Sequence, residues 1–148
     1  MFIRMILIMA LTLLLAPSSM AGKATYGDVI VKTINSVYDG DTFRCDVEGW
    51  PPILGVNIGI RVNGIDTPEM RDKRPHVKAH AIKARDHVRQ RLREATVIEL
   101  RNIKRGKYFR VVADVFVDGV NLGQELISLG LAYEYHGGKK QDWGLLIQ

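Results

Sequence analysis

Two short stretches concentrate side chains able to do chemistry. In YDGDTF, residues 38–43, Asp39 and Asp41 flank a glycine. In RVNGIDTPE, residues 61–69, Arg61 comes shortly before Asp66, and the stiff pair Thr67-Pro68 separates Asp66 from Glu69. If folding brings the two stretches together, their carboxylates form an oxygen site suited to a hard cation such as calcium, which takes about six to eight oxygen ligands. Neither stretch carries the thiolate or imidazole that zinc favours. A plainer reading is also open, in which DGD is a turn and Asp66 caps the segment after it. An EF-hand is excluded, because the positions after Asp41 lack the alternating acids and closing glutamate of that loop.

Basic residues bear on the choice. Arg61 alternates with Ile60 and Val62, so in a strand it faces away from the core those two supply. Further on, KRGKYFR sets Lys104, Arg105, Lys107 and Arg110 around two aromatics, a pattern that suits phosphate binding and equally suits a solvated turn. His76 and His80 share a helical spacing, but the intervening VKA lacks the glutamate of a zinc-protease motif. Pro75 puts His76 at a helix start, and both histidines are expected to face solvent.

The elements that would position these groups are mostly strands. Period-2 apolar patterning marks residues 28–34, 42–48, 56–65, 96–100 and 109–117, with turns expected at DGD (39–41), EGWPPILG (48–55), RGK (105–107) and VDGV (117–120). Between the third and fourth strands, KAHAIKARDHVRQRLREA places Ala81, Ala84, Val88, Leu92 and Ala95 on one face of an amphipathic helix. A shorter helix begins at Asn121, a capping residue, and runs through Leu122, Leu126 and Leu129 to Gly130. The fold class is α+β, mainly β: a five-stranded Greek-key barrel of the oligonucleotide-binding (OB) type, with one helix after strand three and a shorter C-terminal helix. Cys45 alternates with charged residues in TFRCDVE and is expected to be a buried thiol; as the only cysteine it can form no intrachain disulfide. The tail, YHGGKKQDWGLLIQ, has no convincing period and is read as an extended ending.

A chain of 148 residues, 47% hydrophobic and 25% charged, has room for one ordinary core. Residues 1–21 stand apart: a basic start at Arg4, an apolar run from Met5 to Ala16, then Pro17 and small residues. That layout is a secretory signal peptide with cleavage expected after Ala21, and the run falls short of the roughly 20 residues a membrane span needs. The domain is then 22–148, with no stable membrane insertion after cleavage. The formal net charge of +5 suits a polyanionic partner but does not establish one.

Taken in order, DGDT (39–42), Arg61 with GIDTPE (64–69), KYFR (107–110) and VNLGQELISLGLA (120–132) resemble the staphylococcal-nuclease-like, or thermonuclease, family over roughly residues 28–135. The resemblance implies a calcium-dependent nuclease, secreted or periplasmic and monomeric, that hydrolyses phosphodiester bonds of DNA and RNA and leaves 3′-phosphate ends. It implies Asp41, Asp66 and the backbone oxygen of Thr67 as calcium ligands. Arg61, Glu69 and Arg110 become the catalytic residues, Lys107 and Tyr108 bind substrate, and Asp39 supports the loop. The alternative is a non-catalytic nucleic-acid-binding OB-fold module. Three features depart from the family type: a longer connection from Thr42 to Arg61, a chain that ends soon after GGKKQDWG, and Tyr133 and Tyr135 at a spacing that does not match its base-stacking tyrosines.

Overall fold

The computed structural model describes residues 25–147. The expected leader and its cleavage point lie outside the described residues. In chain order the elements are β1 (Val29–Val37), β2 (Thr42–Val47), α1 (Pro52–Gly55), β3 (Ile58–Val62), β4 (Ile65–Asp66), α2 (Pro75–Glu94), β5 (Ile98–Arg105), β6 (Arg110–Val117), β7 (Val120–Asn121), α3 (Leu122–Ser128), β8 (Tyr133–Glu134) and α4 (Trp143–Leu146).

Alternation of apolar and polar residues builds the barrel. On β2, Phe43, Cys45 and Val47 point inward, and on β6 Val111, Ala113, Val115 and Val117 do the same. The β1–β2, β2–β3, β1–β5 and β5–β6 pairings are antiparallel. A parallel pairing of β3 with β6 then closes five strands into the expected OB-type barrel. Cys45 is fully buried, and burial, helped by the charge of Asp46, pushes its thiol up to about 12.

Helix α2 buries Val77, Ala81, Ala84, Val88 and Leu92, the last two within the barrel core, and Pro75 occupies its first turn. The flank of that buried face holds α3: His87 Nε2 lies 2.7 Å from Glu125 Oε1, and Arg91 Nε donates to the same carboxylate at 2.9 and 3.1 Å. As expected, Asn121 caps α3, its side chain accepting from the Gln124 amide at 3.0 Å.

Several boundaries differ from expectation, each for a local reason. The third strand is not continuous over 56–65: a turn at Asn63-Gly64, with Gly64 at φ 77°, separates β3 from β4 and reorients Asp66. The fourth strand runs on to Arg105, because an irregularity at Asn102, itself at φ 52°, shifts the register and breaks the apolar period. Helix α1, with Pro52 in its first turn, lies inside the stretch read as a turn. Helix α3 stops at Ser128, leaving Leu129 half exposed, and Ala95 is the C-cap of α2, partly buried against the core. The tail is not an extended ending. It ends in α4, which buries Trp143, and just ahead of it β8 pairs with β4, matching Tyr133 to Asp66. His80 is half-buried rather than solvent-facing, with Nε2 2.8 Å from the Gly130 carbonyl and its ring 5.6 Å from that of Trp143.

Candidate active site

The turn before β2 and the end of β4 meet under α2. Gly40 makes the approach possible: a Cβ there would sit 2.8 Å from Thr67 Cγ2 and 2.9 Å from Ala84 Cβ, so any side chain would force the two turns apart. Asp41 and Asp66 are each 1% exposed. One guanidinium grips both, Arg61 Nη1 donating to Asp41 Oδ1 and Nη2 donating to Asp66 Oδ1 at 3.1 Å and to the Ile65 carbonyl at 3.2 Å. The Thr67 amide donates to Asp41 Oδ2 at 3.0 Å, and the Thr42 hydroxyl donates to Oδ1 at 2.9 Å. Asp39 supports the loop as expected, accepting from the Asp41 amide at 3.2 Å. Burial, and next the charge of Asp39, push the Asp41 carboxyl up to about 7 against the pull of Arg61.

The second oxygen of Asp66 is held from the tail. Tyr133 donates its hydroxyl to Oδ2 at 3.0 Å, and Trp143 Nε1 donates to the same atom at 3.3 Å. Lys140 Nζ lies 2.7 Å from Asp66 Oδ1 and 3.2 Å from Glu69 Oε1, bridging the two carboxylates. Burial alone would raise Asp66, but the hydrogen bond and charge of Lys140, with the hydrogen bonds from Tyr133 and Trp143, hold it below the usual carboxylate range. The Tyr133 hydroxyl is in turn pushed up to about 12, first by burial and then by Asp66. Glu69 is half-buried, and its other oxygen lies 3.7 Å from Arg71 Nε.

The sequence pattern pointed to none of the contacts that Tyr133, Lys140 and Trp143 make here. The available signal was Trp143, a large apolar ring directly after the glycine-rich, polar run HGGKKQD. Tyr133, considered for base stacking, has its hydroxyl on Asp66 and its ring tilted against Trp143 at 5.1 Å.

Arg110 reaches the same neighbourhood from the opposite strand. In the β3–β6 register Gly59 pairs with Arg110 and Arg61 with Val112, so Gly59, Arg61 and Arg110 share the outer face of two adjacent strands. Arg110 lies across Gly59, where a Cβ would meet its Cγ at 3.1 Å, and its Nε is buried with no hydrogen-bond partner. A desolvated cationic donor without an acceptor is suited to an incoming anion. Lys107 and Tyr108 stand at the exposed tip of the turn leading to Arg110, where the Arg110 amide donates to the Lys107 carbonyl at 3.1 Å.

The fold therefore gathers Asp41, Arg61, Asp66, Thr67 and Glu69 into one cluster, sets Arg110 on the adjoining face, and leaves Lys107 and Tyr108 at the rim. Oxygen donors dominate the cluster, and the Thr67 hydroxyl is buried without a partner. Among the described residues no group of three or more His, Cys, Asp or Glu side chains is gathered for a metal ion. A hard cation would thus rest on two carboxylates and a backbone oxygen, with water and substrate completing its shell. Lys140 and Arg61 set positive charge against these carboxylates, so a metal ion there would have to displace part of that charge.

No curated protein matches the chain. The staphylococcal nuclease homologue profile matches residues 59–143, a segment that carries Arg61, Asp66, Glu69, Arg110 and the tail contacts; Asp41 precedes it and joins the site through geometry alone. With more than half of its length matched, this chain belongs to the staphylococcal nuclease homologue family.

Proposed function

We propose that the protein is a secreted, calcium-dependent endonuclease that hydrolyses phosphodiester bonds of DNA and RNA and leaves 3′-phosphate ends. The observation that carries the reading is the convergence of Asp41 and Asp66 on the fork of Arg61, beside the unpartnered Nε of Arg110. Asp41, Asp66 and the Thr67 carbonyl would hold calcium, which when bound withdraws charge from a phosphate oxygen.

The chain's own groups account for the rest. Arg110, and Arg61 once the carboxylates turn to the cation, donate to the phosphate oxygens as negative charge grows on them. Glu69 accepts the proton of the attacking water, and its hydrogen bond to Lys140 orients the carboxylate for that role. Arg110 also offers a donor to the departing 5′ oxygen. Lys107 and Tyr108 bind the neighbouring phosphate and sugar from the rim.

The test is a calcium-titrated digestion of single-stranded DNA and of RNA, with chemical analysis of the new ends. Cleavage that depends on calcium, stops with a chelator and leaves 3′-phosphates is the expected result. Tight binding of either nucleic acid without cleavage at any calcium concentration would instead identify a non-catalytic OB-fold binding module.

A further inference from the structure

Beside the acid cluster runs a groove of about 600 Å³, ending on Thr42, Gly59 and Arg110. Its far wall is the connection between β2 and β3, where the sequence departs in length from the family it resembles. Helix α1 and the residue after it present Ile53, Leu54 and Val56, which are 91%, 55% and 59% exposed. The near wall is the turn before β6, where Tyr108 and Phe109 are 89% and 98% exposed. Arg44 lies between the walls and donates to the Asn57 carbonyl at 3.3 Å, which fixes it along the groove.

Two features set this surface apart from scattered exposed apolar residues. Tyr108 and Phe109 are consecutive aromatics at φ 57° each, in the left-handed region that bulky side chains avoid, so the backbone is held in a costly form that turns both rings outward. The apolar walls also flank cationic side chains and lead to the unpartnered Nε of Arg110. Flat π and aliphatic surfaces alternating with guanidinium groups match one polyanion closely: a nucleic-acid strand whose bases are free to leave the stack.

We propose that the groove between α1 and the turn before β6 is a base-binding subsite, taking an unpaired nucleotide next to the phosphate that Arg110 contacts and so favouring single-stranded over duplex substrate. The proposal rests on the nuclease reading for its place beside a cleaved phosphate. A base enters between Phe109 and the Ile53–Leu54 wall, while Arg44 and Arg110 follow the backbone. Paired bases, buried in their own stack, gain nothing there.

The test uses the full-length protein with Ile53→Ser, Leu54→Ser and Phe109→Ser combined, all solvent-exposed positions, and compares it with wild type. Binding is read by fluorescence anisotropy in a chelator, with a labelled single-stranded oligonucleotide, its abasic counterpart and a duplex as probes. Expected is a loss of about tenfold in affinity for the ordinary single strand, against less than about twofold for the abasic strand and duplex. In cleavage assays KM should rise by a similar factor while kcat stays within about twofold. Wild type that binds abasic and ordinary strands equally, or binds neither, overturns the subsite, as does a variant with unchanged affinity in a protein that still cleaves. Loss of sedimentation with anionic phospholipid vesicles, with nucleic-acid binding intact, overturns it in favour of a membrane-facing patch. Base-dependent binding lost in the variant, in a protein that never cleaves, supports the subsite and removes the hydrolase instead.

Discussion

The two chemically distinctive ends of the site are built in opposite ways. At the acid end, Asp41, Asp66 and Thr67 are buried; the two carboxylates are tied to Arg61, Thr42, Tyr133, Lys140, Trp143 and the Thr67 amide, and only the Thr67 hydroxyl among these side chains lacks a partner. At the basic end, the turn carrying Lys107, Tyr108 and Phe109 is exposed, and Arg110 keeps a buried donor with no acceptor. Carboxylates withdrawn from water need partners to remain folded, whereas an arginine waiting for phosphate must keep some of its donors free. Stability and function should therefore be coupled at one end and separable at the other.

The sharpest way to break that comparison is Arg61→Ala, which leaves two buried carboxylates without their shared partner. Urea unfolding in a chelator should show a loss of about 3–5 kcal/mol, and cleavage should fall with it. Arg61→Lys keeps the charge but not the fork, and should recover less than half of that loss. At the basic end, Arg110→Ala should lower kcat by about 10²–10³ while the unfolding free energy changes by no more than about 0.5 kcal/mol, since no folded-state hydrogen bond of its Nε is lost. A large stability loss in Arg110→Ala would show that the two ends are not distinct.

Smaller effects refine the picture. Gly40→Ala places a methyl against Thr67 and Ala84 and should cost about 1–3 kcal/mol, measured by urea unfolding. Lys140→Ala removes a cation that competes for Asp66, and isothermal titration should show calcium binding about two- to fivefold tighter, a modest gain because the lysine is partly exposed. Weaker calcium binding in that variant would mean that Lys140 organises the carboxylates rather than opposing the metal.

How much of this was legible beforehand depended on the range of the interactions. The barrel strands and α2 were readable because alternation and helical spacing are local properties, visible in TFRCDVE or in Ala81, Ala84, Val88 and Leu92. The meeting of DGD with GIDTPE was anticipated through ordered motifs, while the geometry that brings them together depends on Gly40, whose importance is a matter of what stands opposite it. The tail was illegible for the same kind of reason. Tyr133, Lys140 and Trp143 each reach Asp66 from far along the chain, and isolated long-range anchors leave no periodic trace. Helix α1 was hidden by its length of a single turn and by its prolines.

The parallel seam between β3 and β6 has a consequence for the history of each molecule as it is made. Arg61 and Arg110 stand on strands far apart along the chain and become neighbours only across that seam. Distant pairings of this kind tend to form late, after nearer hairpins have joined, because closing a long loop costs chain entropy first. A nascent or half-folded copy therefore carries the acids and the arginines without their common geometry. On the nuclease reading proposed above, such a copy cannot cut the nucleic acid of the cell that synthesises it, a form of safety supplied by topology rather than by an inhibitor.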